Sequence, residues 1–277
     1  MNELETSGLP GATLAERSGR SGVGGVRRFD AEGVTLFCAD CREIIPTLTG
    51  VDSVITDPPY GVELKAKRAK QRGGGVTARD GEYNHEDTPE YVKGVVVAAI
   101  GMCLVTAPSM AVTPGTRNLH LYPIPDDIGC FFSAAGTGMG RWGFTCMQPI
   151  LYYGKDPYLA RSMGSRANSC GQTYPNDSNE QPHPCAKPIA MMRWIVARAS
   201  LEGMTVLDPF MGSGTTGIAC IEGRRRFIGI EKDPAHFETA VRRIKAALAQ
   251  GVLFPVGGGG AERQGELLSA TEKQPNA

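Results

Sequence analysis

The chain has no excess of charge of either sign: 29 lysines and arginines balance 29 aspartates and glutamates. A global field that draws in a polyanion is thereby excluded, and binding to one must use a local patch. Long hydrophobic runs are missing as well. No apolar stretch approaches membrane-spanning length, and the N-terminal MNELETSGLPGATLAERSGRSG has no apolar signal core. The expectation is a soluble, cytoplasmic protein with no membrane partner. Histidine is scarce, and the four that occur are too dispersed to suggest a metal site. Cysteine is present eight times, yet only Cys38 and Cys41 have CxxC spacing, with no second pair or histidine nearby. Reduced, mostly buried thiols and no bound metal are the preferred reading.

At 277 residues the chain suits one domain with appendages. Residues 1–30, rich in Gly, Ser and Arg, and residues 251–277, with a GGGG run, read as disordered tails. Between them strands and helices alternate. VTLFC (34–38), VDSVIT (51–56), SMAVT (109–113), MQPILYY (147–153), TVLD (205–208) and FIGIE (227–231) read as strands. Helices fit 89–105, 188–200, 215–223 and 234–250, with a short helix or turn after Cys41. Residues 62–86 read as a polar, basic, mobile loop, and 155–182 as irregular. Such alternation implies an α/β fold, a mostly parallel sheet with helices on both faces.

TDPPYG (56–61) ends a short apolar strand on an acid, two prolines and an aromatic ring. Pro58 and Pro59 can neither continue a ladder nor enter a helix interior, so the backbone is stiff and extended there. Asp57 and Tyr60 are thus carried on a rigid bracket, which by itself serves chemistry or is only a turn.

LDPFMGSGTTG (207–217) places a strand end, a glycine loop and a helix start in succession, the arrangement of a nucleotide-binding turn. The loop lacks the Lys-Ser/Thr of a P-loop, and Asp208 stands before the glycines, where it would repel pyrophosphate. An acid there suits a cofactor with a positive end, such as the amino-acid portion of S-adenosylmethionine. Glu231 ends the next strand, seventeen residues after Gly214. An acid in that place accepts hydrogen bonds from ribose hydroxyls.

DPPY, HPCAKP (183–188) and LDPFMGSGTTGIAC with FIGIEKDP resemble the amino-methylating DNA methyltransferases, the N6-adenine/N4-cytosine family. DPPY lies N-terminal to the cofactor loop, as in that family's circularly permuted beta class. The resemblance covers about Val34 to Gln250. It implies a Rossmann-like S-adenosyl-L-methionine-dependent methyltransferase fold, circularly permuted, on a mostly parallel seven-stranded sheet. The methyltransferase domain is then 31–250: a catalytic half (31–155), a short target-recognition segment (155–182) and a cofactor-binding half (183–250). Catalysis is expected from Asp57, Pro58, Pro59 and Tyr60. The cofactor is expected to meet Asp40 (in FCADC, 37–41), Asp57, Lys187, Asp208, Phe210, Gly212, Ser213, Gly214, Thr215 and Glu231. QPILYYGK (148–155) resembles a strand late in the catalytic half.

The reaction implied is methylation of the adenine N6 amine in DNA after base flipping. N4-cytosine methylation and an inactive DNA-binding relative are the alternatives. The acid of DPPY fits adenine better than the SPPY usual for cytosine N4. Lys65, Lys67, Arg68, Lys70 and Arg72, directly after the bracket, are the expected phosphate contacts, with a solvated loop as the plain alternative. The interval between QPILYYGK and HPCAKP is under thirty residues, shorter than in relatives with a substantial recognition domain. Recognition is therefore short, shared with the basic loop, or completed by a second subunit. A homodimer and a cognate restriction endonuclease are candidate partners. A nicotinamide dehydrogenase would need GxGxxG, a C5-cytosine enzyme a Pro-Cys nucleophile at the bracket, and a protein-glutamine methyltransferase an NPPY after the cofactor loop. None of these fits.

Overall fold

A computed structural model describes residues 26–62, 87–132, 138–140, 142–161, 169–172 and 188–253. The described residues open with a hairpin, β1 (Arg27–Ala31) and β2 (Val34–Cys38), turning at Gly33 with φ +69°. A short helix α1 (Cys41–Ile44) leads to β3 (Ser53–Thr56). A continuous helical segment, α2, covers 89–106, with Thr88 as N-cap and Pro89 in its first turn. Its second turn, Val92–Val96, is π-helical. Then follow β4 (Ser109–Val112), β5 (Asp127–Phe132), the small pair β6 (Gly138–Gly140) and β7 (Gly143–Thr145), and β8 (Met147–Gly154). The last part contains α3 (Pro157–Ala160), β9 (Cys170–Gln172), α4 (Ile189–Ala199), β10 (Thr205–Asp208), α5 (Thr215–Glu222), β11 (Arg226–Glu231) and α6 (Pro234–Leu253).

Among the described residues, nine strands form one sheet in the order β1-β2-β11-β10-β3-β4-β8-β5-β9. From β2 to β4 all pairings are parallel, whereas β8 runs antiparallel to both β4 and β5. β3, β4 and β10 are buried along their whole lengths, as strands covered on both faces must be. One apolar core joins α4, α5 and α6 to one face, centred on Leu36, Ile55, Ile150, Ile195 and Phe227. The other joins α1 and α2 to the opposite face through Val54, Val92, Ile100, Val112 and Leu207. The expected α/β architecture is therefore present, and the final two strands in the chain, β10 and β11, lie inside the sheet rather than at its edge.

Several details differ from the sequence reading. The expected seven strands correspond to the block from β2 to β5, and β1 and β9 add one strand at each edge. Residues 27–30, assigned to the N-terminal tail, belong to β1, because Phe29 is buried in the core. α6 continues to Leu253, past the expected boundary at 251. β5 carries no alternation strong enough to find in DIGCFF, and β9 lies in the segment read as irregular; both are held by long-range pairing. Pro89–Thr106 is long and apolar enough to cross a membrane, with a mean hydropathy of 1.4, contrary to the absence of such runs expected from the sequence. Here Tyr91, Val92, Val96, Ala99, Ile100 and Cys103 of that helix pack into the core. Residues 1–25 and 254–277 lie outside the described residues.

α5 sits flush on β11 because Gly217 has no side chain. A Cβ there would come within 2.6 Å of Phe227 and 2.7 Å of Ile244. Gly217→Val is expected to cost about 1–3 kcal/mol of stability, seen as a lowered urea-unfolding midpoint with an unchanged slope.

Candidate active site

The bracket and the glycine loop are 151 residues apart in sequence (208 − 57) and neighbours in space. β3 and β10 are adjacent and parallel, with Val54 opposite Leu207, so both chains leave the same end of the sheet. Crevices at the carboxyl ends of parallel strands are where α/β sheets hold ligands.

Asp57 leaves β3 half-buried, and Pro58 after it is buried. One carboxylate oxygen, Asp57 Oδ1, accepts the Tyr60 hydroxyl at 2.5 Å and the Thr113 hydroxyl at 2.6 Å. Burial, followed by the Asp57 charge, holds the Tyr60 phenol well above its usual pKa. The ring of Tyr60 lies on the backbone of Gly115, which has φ +68° and no room for a Cβ. Asn118 Nδ2 donates to the Tyr60 carbonyl at 2.7 Å, and the Gly61 amide donates to buried Asp87 at 2.6 Å. The bracket is thus clamped from the 113–118 segment that follows β4 and from Asp87, which precedes α2. Thr113, Gly115, Asn118 and Asp87 were not among the expected site residues. No motif marks them, because their roles come from tertiary contact alone.

Asp208 ends β10 at 1 % exposure. It was expected to face the positive end of a cofactor, but it turns inward. Its Oδ1 accepts from the Thr56 hydroxyl at 2.7 Å and the Phe210 amide at 3.1 Å, and its Oδ2 accepts from the Thr216 hydroxyl at 2.6 Å. Desolvation raises its pKa to about 6 against these three donors. A carboxylate so enclosed takes its partners from the fold, and here they join β3, the loop and α5.

In the loop, Gly212 and Gly214 adopt φ +52° and +81°, which other residues rarely do. The Gly212 amide donates to Glu231 Oε2 at 3.0 Å, and the Asp233 amide donates to Glu231 Oε1 at 2.8 Å. Glu231 is 6 % exposed, and burial pushes its pKa up to about 7. Ser213 and Thr215 turn towards α6, where Arg243 Nη1 donates to the Ser213 carbonyl at 2.6 Å, to its hydroxyl at 2.8 Å and to the Thr215 hydroxyl at 3.3 Å. Arg243 was not anticipated; a cation on a surface-patterned helix carries no local signal of this role.

A cleft beside the loop is lined by Asp40, Cys41, Tyr91, Phe210, Glu231 and Lys232, among others. Asp40, Phe210 and Glu231 are therefore brought together at one cleft. Asp40 is also the N-cap of α1, and Arg42 bonds both its oxygens, at 2.9 Å and 3.0 Å on Oδ1 and 2.6 Å on Oδ2. Those bonds hold its carboxyl below the usual range. Lys232 lies 4.3 Å from the centroid of the Tyr91 ring. Lys65, Lys67, Arg68, Lys70, Arg72 and Lys187 lie outside the described residues, as does HPCAKP up to its last proline. Pro188 caps α4. Among the described residues no cluster of His, Cys, Asp and Glu could hold a metal.

The family model N6_N4_Mtase, described as DNA methylase, matches residues 155–242. The type II methyltransferase M.HpaI of Haemophilus parainfluenzae is 40 % identical over 252 residues, covering 76 % of this chain and 73 % of that protein. The DNA adenine methyltransferase YhdJ of Escherichia coli (strain K12) is 43 % identical over 65 residues, 24 % of this chain and only 22 % of its own length. The crystal structure of the M1.HpyAVI–SAM complex shares the fold, with a TM-score of 0.51 at 23 % identity, over 76 % of this chain and 98 % of that one.

Two buried acids with raised pKa values give a definite pH dependence. Each binds a proton more tightly folded than unfolded, so its contribution is fully present below the unfolded pKa and is lost as pH rises through the folded one. For Glu231 that window runs from about 4.5 to about 7. Unfolding free energy is expected to decline across it by about 1–3 kcal/mol. Glu231→Gln should flatten that decline in urea titrations between pH 5 and 8, whatever its effect at a single pH.

Proposed function

This chain belongs to the N6/N4 amino-methylating DNA methyltransferase family, and from that premise we propose that it methylates the exocyclic N6 amine of adenine in DNA. The observation that carries the reading is the pairing of an acid-proline-proline-tyrosine bracket with a glycine loop on adjacent parallel strands, joined through Asp208. S-adenosyl-L-methionine, when bound, supplies a methyl group on a sulfonium, activated enough to need no covalent enzyme intermediate.

The residues of the cleft suit such a cofactor. Glu231 keeps lone pairs for ribose hydroxyls after accepting two backbone amides, since a carboxylate offers about four acceptor sites. Phe210 and Asp40 supply an apolar wall and an acid for the adenine end, and the positive-φ glycines let a ligand approach the backbone closely. Lys187 is assigned to the methionine end with Gly212, Ser213, Gly214 and Thr215 through their backbone.

An amine on a nucleobase is a poor nucleophile because its lone pair is delocalised into the ring. Asp57 and the Pro58 carbonyl accept its two N–H groups, which localises the lone pair and fixes its direction. Positioning and preorganised acceptors of this kind are worth several kcal/mol. The Thr113 and Tyr60 hydroxyls hold the Asp57 carboxylate in its orientation. Pro59 keeps the bracket stiff. Tyr60 provides a face for the extruded base, worth roughly 1–3 kcal/mol in stacking.

Adenine is favoured over cytosine by the acid of the bracket and by the adenine activity in the name of YhdJ. Cytosine N4 is the second reading, because cytosine presents the same amino group beside a ring nitrogen. DNA is the partner, with Lys65, Lys67, Arg68, Lys70 and Arg72 assigned to phosphates; a second copy of the chain and a cognate endonuclease are further partners within this proposal.

Asp57→Ala is expected to retain S-adenosyl-L-methionine binding by calorimetry while transfer of labelled methyl to DNA falls by about 100-fold or more. Transfer at the wild-type rate would remove the mechanism. Replacing Lys65, Lys67, Arg68 and Lys70 with glutamine should weaken DNA binding and make its salt dependence shallower, by about 0.9 in slope for each phosphate no longer neutralised. An unchanged slope would take the segment out of the interface.

A further inference from the structure

The chain contains two tryptophans, and their surroundings are opposite. Trp194 is 6 % exposed and packs on Phe131, with ring centroids 5.8 Å apart. Trp142 is fully exposed. It stands at the tip of the β6–β7 hairpin, where Gly140 pairs with Gly143 and two residues make the turn. Turns of that length favour Asn, Asp or Gly, which reach positive φ at little cost. An indole there serves neither the turn nor the core.

The placement of the hairpin suggests what it does serve. β8 runs antiparallel to both β4 and β5, with Val112 opposite Leu151 and Phe132 opposite Met147. β5 therefore ends at the same end of the sheet as β3, β4 and β10, the end from which the bracket and the glycine loop leave. Met147 lies beyond Leu151 in that direction by about 13 Å, at the rise of a strand. β7 joins β8 there through Cys146 alone, so the hairpin is mounted on the part of the sheet that reaches past the bracket's end. Phe132 and Met147, opposite one another at its foot, are exposed as well.

Asp57 is half-buried, so a duplex has to lie outside this end and deliver its base inward. Extrusion leaves a gap in the stack, and an inserted apolar side chain fills such a gap. Gly138, Gly140 and Gly143 keep the blade thin, which suits entry into a groove about 6 or 12 Å wide. A second copy of the chain is the poorer occupant. One aromatic side chain buries roughly 150–250 Å², against about 800 Å² per partner in a stable interface, and the glycines beside it add no side chain.

We propose that Trp142 is a DNA-contacting wedge: the β6–β7 hairpin enters a groove of the duplex, and the indole stacks on the bases beside the one extruded to the bracket. The inference rests on the proposed function and adds a second stacking surface to it. Tyr60 receives the base that leaves, and Trp142 supports the stack it has left.

The test uses the full chain, S-adenosyl-L-methionine and sheared double-stranded genomic DNA, comparing wild type, Trp142→Ala and Trp142→Phe. In Trp142→Ala, kcat/KM for methyl transfer is expected to fall about tenfold, the worth of one base–aromatic stack. Trp142→Phe should recover most of that loss, since its ring still stacks. Melting temperature, S-adenosyl-L-methionine affinity and the elution volume of the free protein should match wild type in both variants. Because Trp194 is buried, changes in tryptophan emission report on Trp142. A duplex fragment that wild type methylates should quench wild-type emission and leave that of Trp142→Phe unchanged. Full activity in Trp142→Ala overturns the inference, as does equal quenching in wild type and Trp142→Phe, or a Trp142→Phe enzyme no better than Trp142→Ala. A lower melting temperature would make the tip structural, and an altered elution volume would make it a contact between copies; either overturns the inference too. If wild type binds S-adenosyl-L-methionine but leaves DNA unmethylated, the proposed function has failed and the inference with it. A fully active Trp142→Ala beside an active wild type removes the inference alone.

Discussion

The Asp208 carboxylate accepts hydrogen bonds from Thr56 at the end of β3, from the Phe210 amide in the glycine loop, and from Thr216 in the first turn of α5. Each of those donors belongs to a different part of the site. Thr56 immediately precedes the bracket, Phe210 lines the cleft beside the glycine loop, and Thr216 lies in the first turn of the helix that follows that loop. A buried carboxylate with three donors is costly to disturb, since removing any donor leaves desolvated charge unpaired. The distance between the DPPY bracket and the glycine loop is therefore held by one side chain as well as by the sheet. That rigidity matters because transfer between two bound molecules depends on their alignment to a fraction of an ångström.

Around this joint the fold supplies support from both faces. Arg243 of α6 ties the Ser213 and Thr215 side of the loop, and Glu231 ties Gly212 from β11. Thr113, Gly115 and Asn118 do the same for the bracket. β10 and β11 come last among the strands in the chain but occupy the interior of the sheet between β2 and β3. The two halves of the site can only meet because of that insertion. Local sequence places each half on a strand end; the order of strands in the sheet makes them neighbours.

Much of this was legible in the residues. The double proline marked a stiff strand end, the glycines with Glu231 marked a ligand loop, and VDSVIT and SMAVT marked strands of a mostly parallel sheet. Asp40, Phe210 and Glu231 do meet at one cleft. What could not be read depends on contacts between distant segments. Asp208 was legible as an acid beside a loop, but its direction depends on Thr56, 152 residues away. Arg243 and Asn118 stand in no motif. β1, β5 and β9 have weak patterns and exist through their pairing, so their propensities alone did not disclose them. The apolar 89–106 helix shows the converse: composition alone would admit a membrane span, whereas its buried face is committed to the second core.

The central claim is that the clamp formed at TDPPYG acts on an exocyclic amine of adenine in DNA. It is tested most directly by digesting DNA incubated with the protein and S-adenosyl-L-methionine to nucleosides and resolving them by mass spectrometry. The account predicts N6-methyladenine as the new nucleoside. N4-methylcytosine in its place would contradict the choice of base, and an unmodified digest would contradict the activity itself.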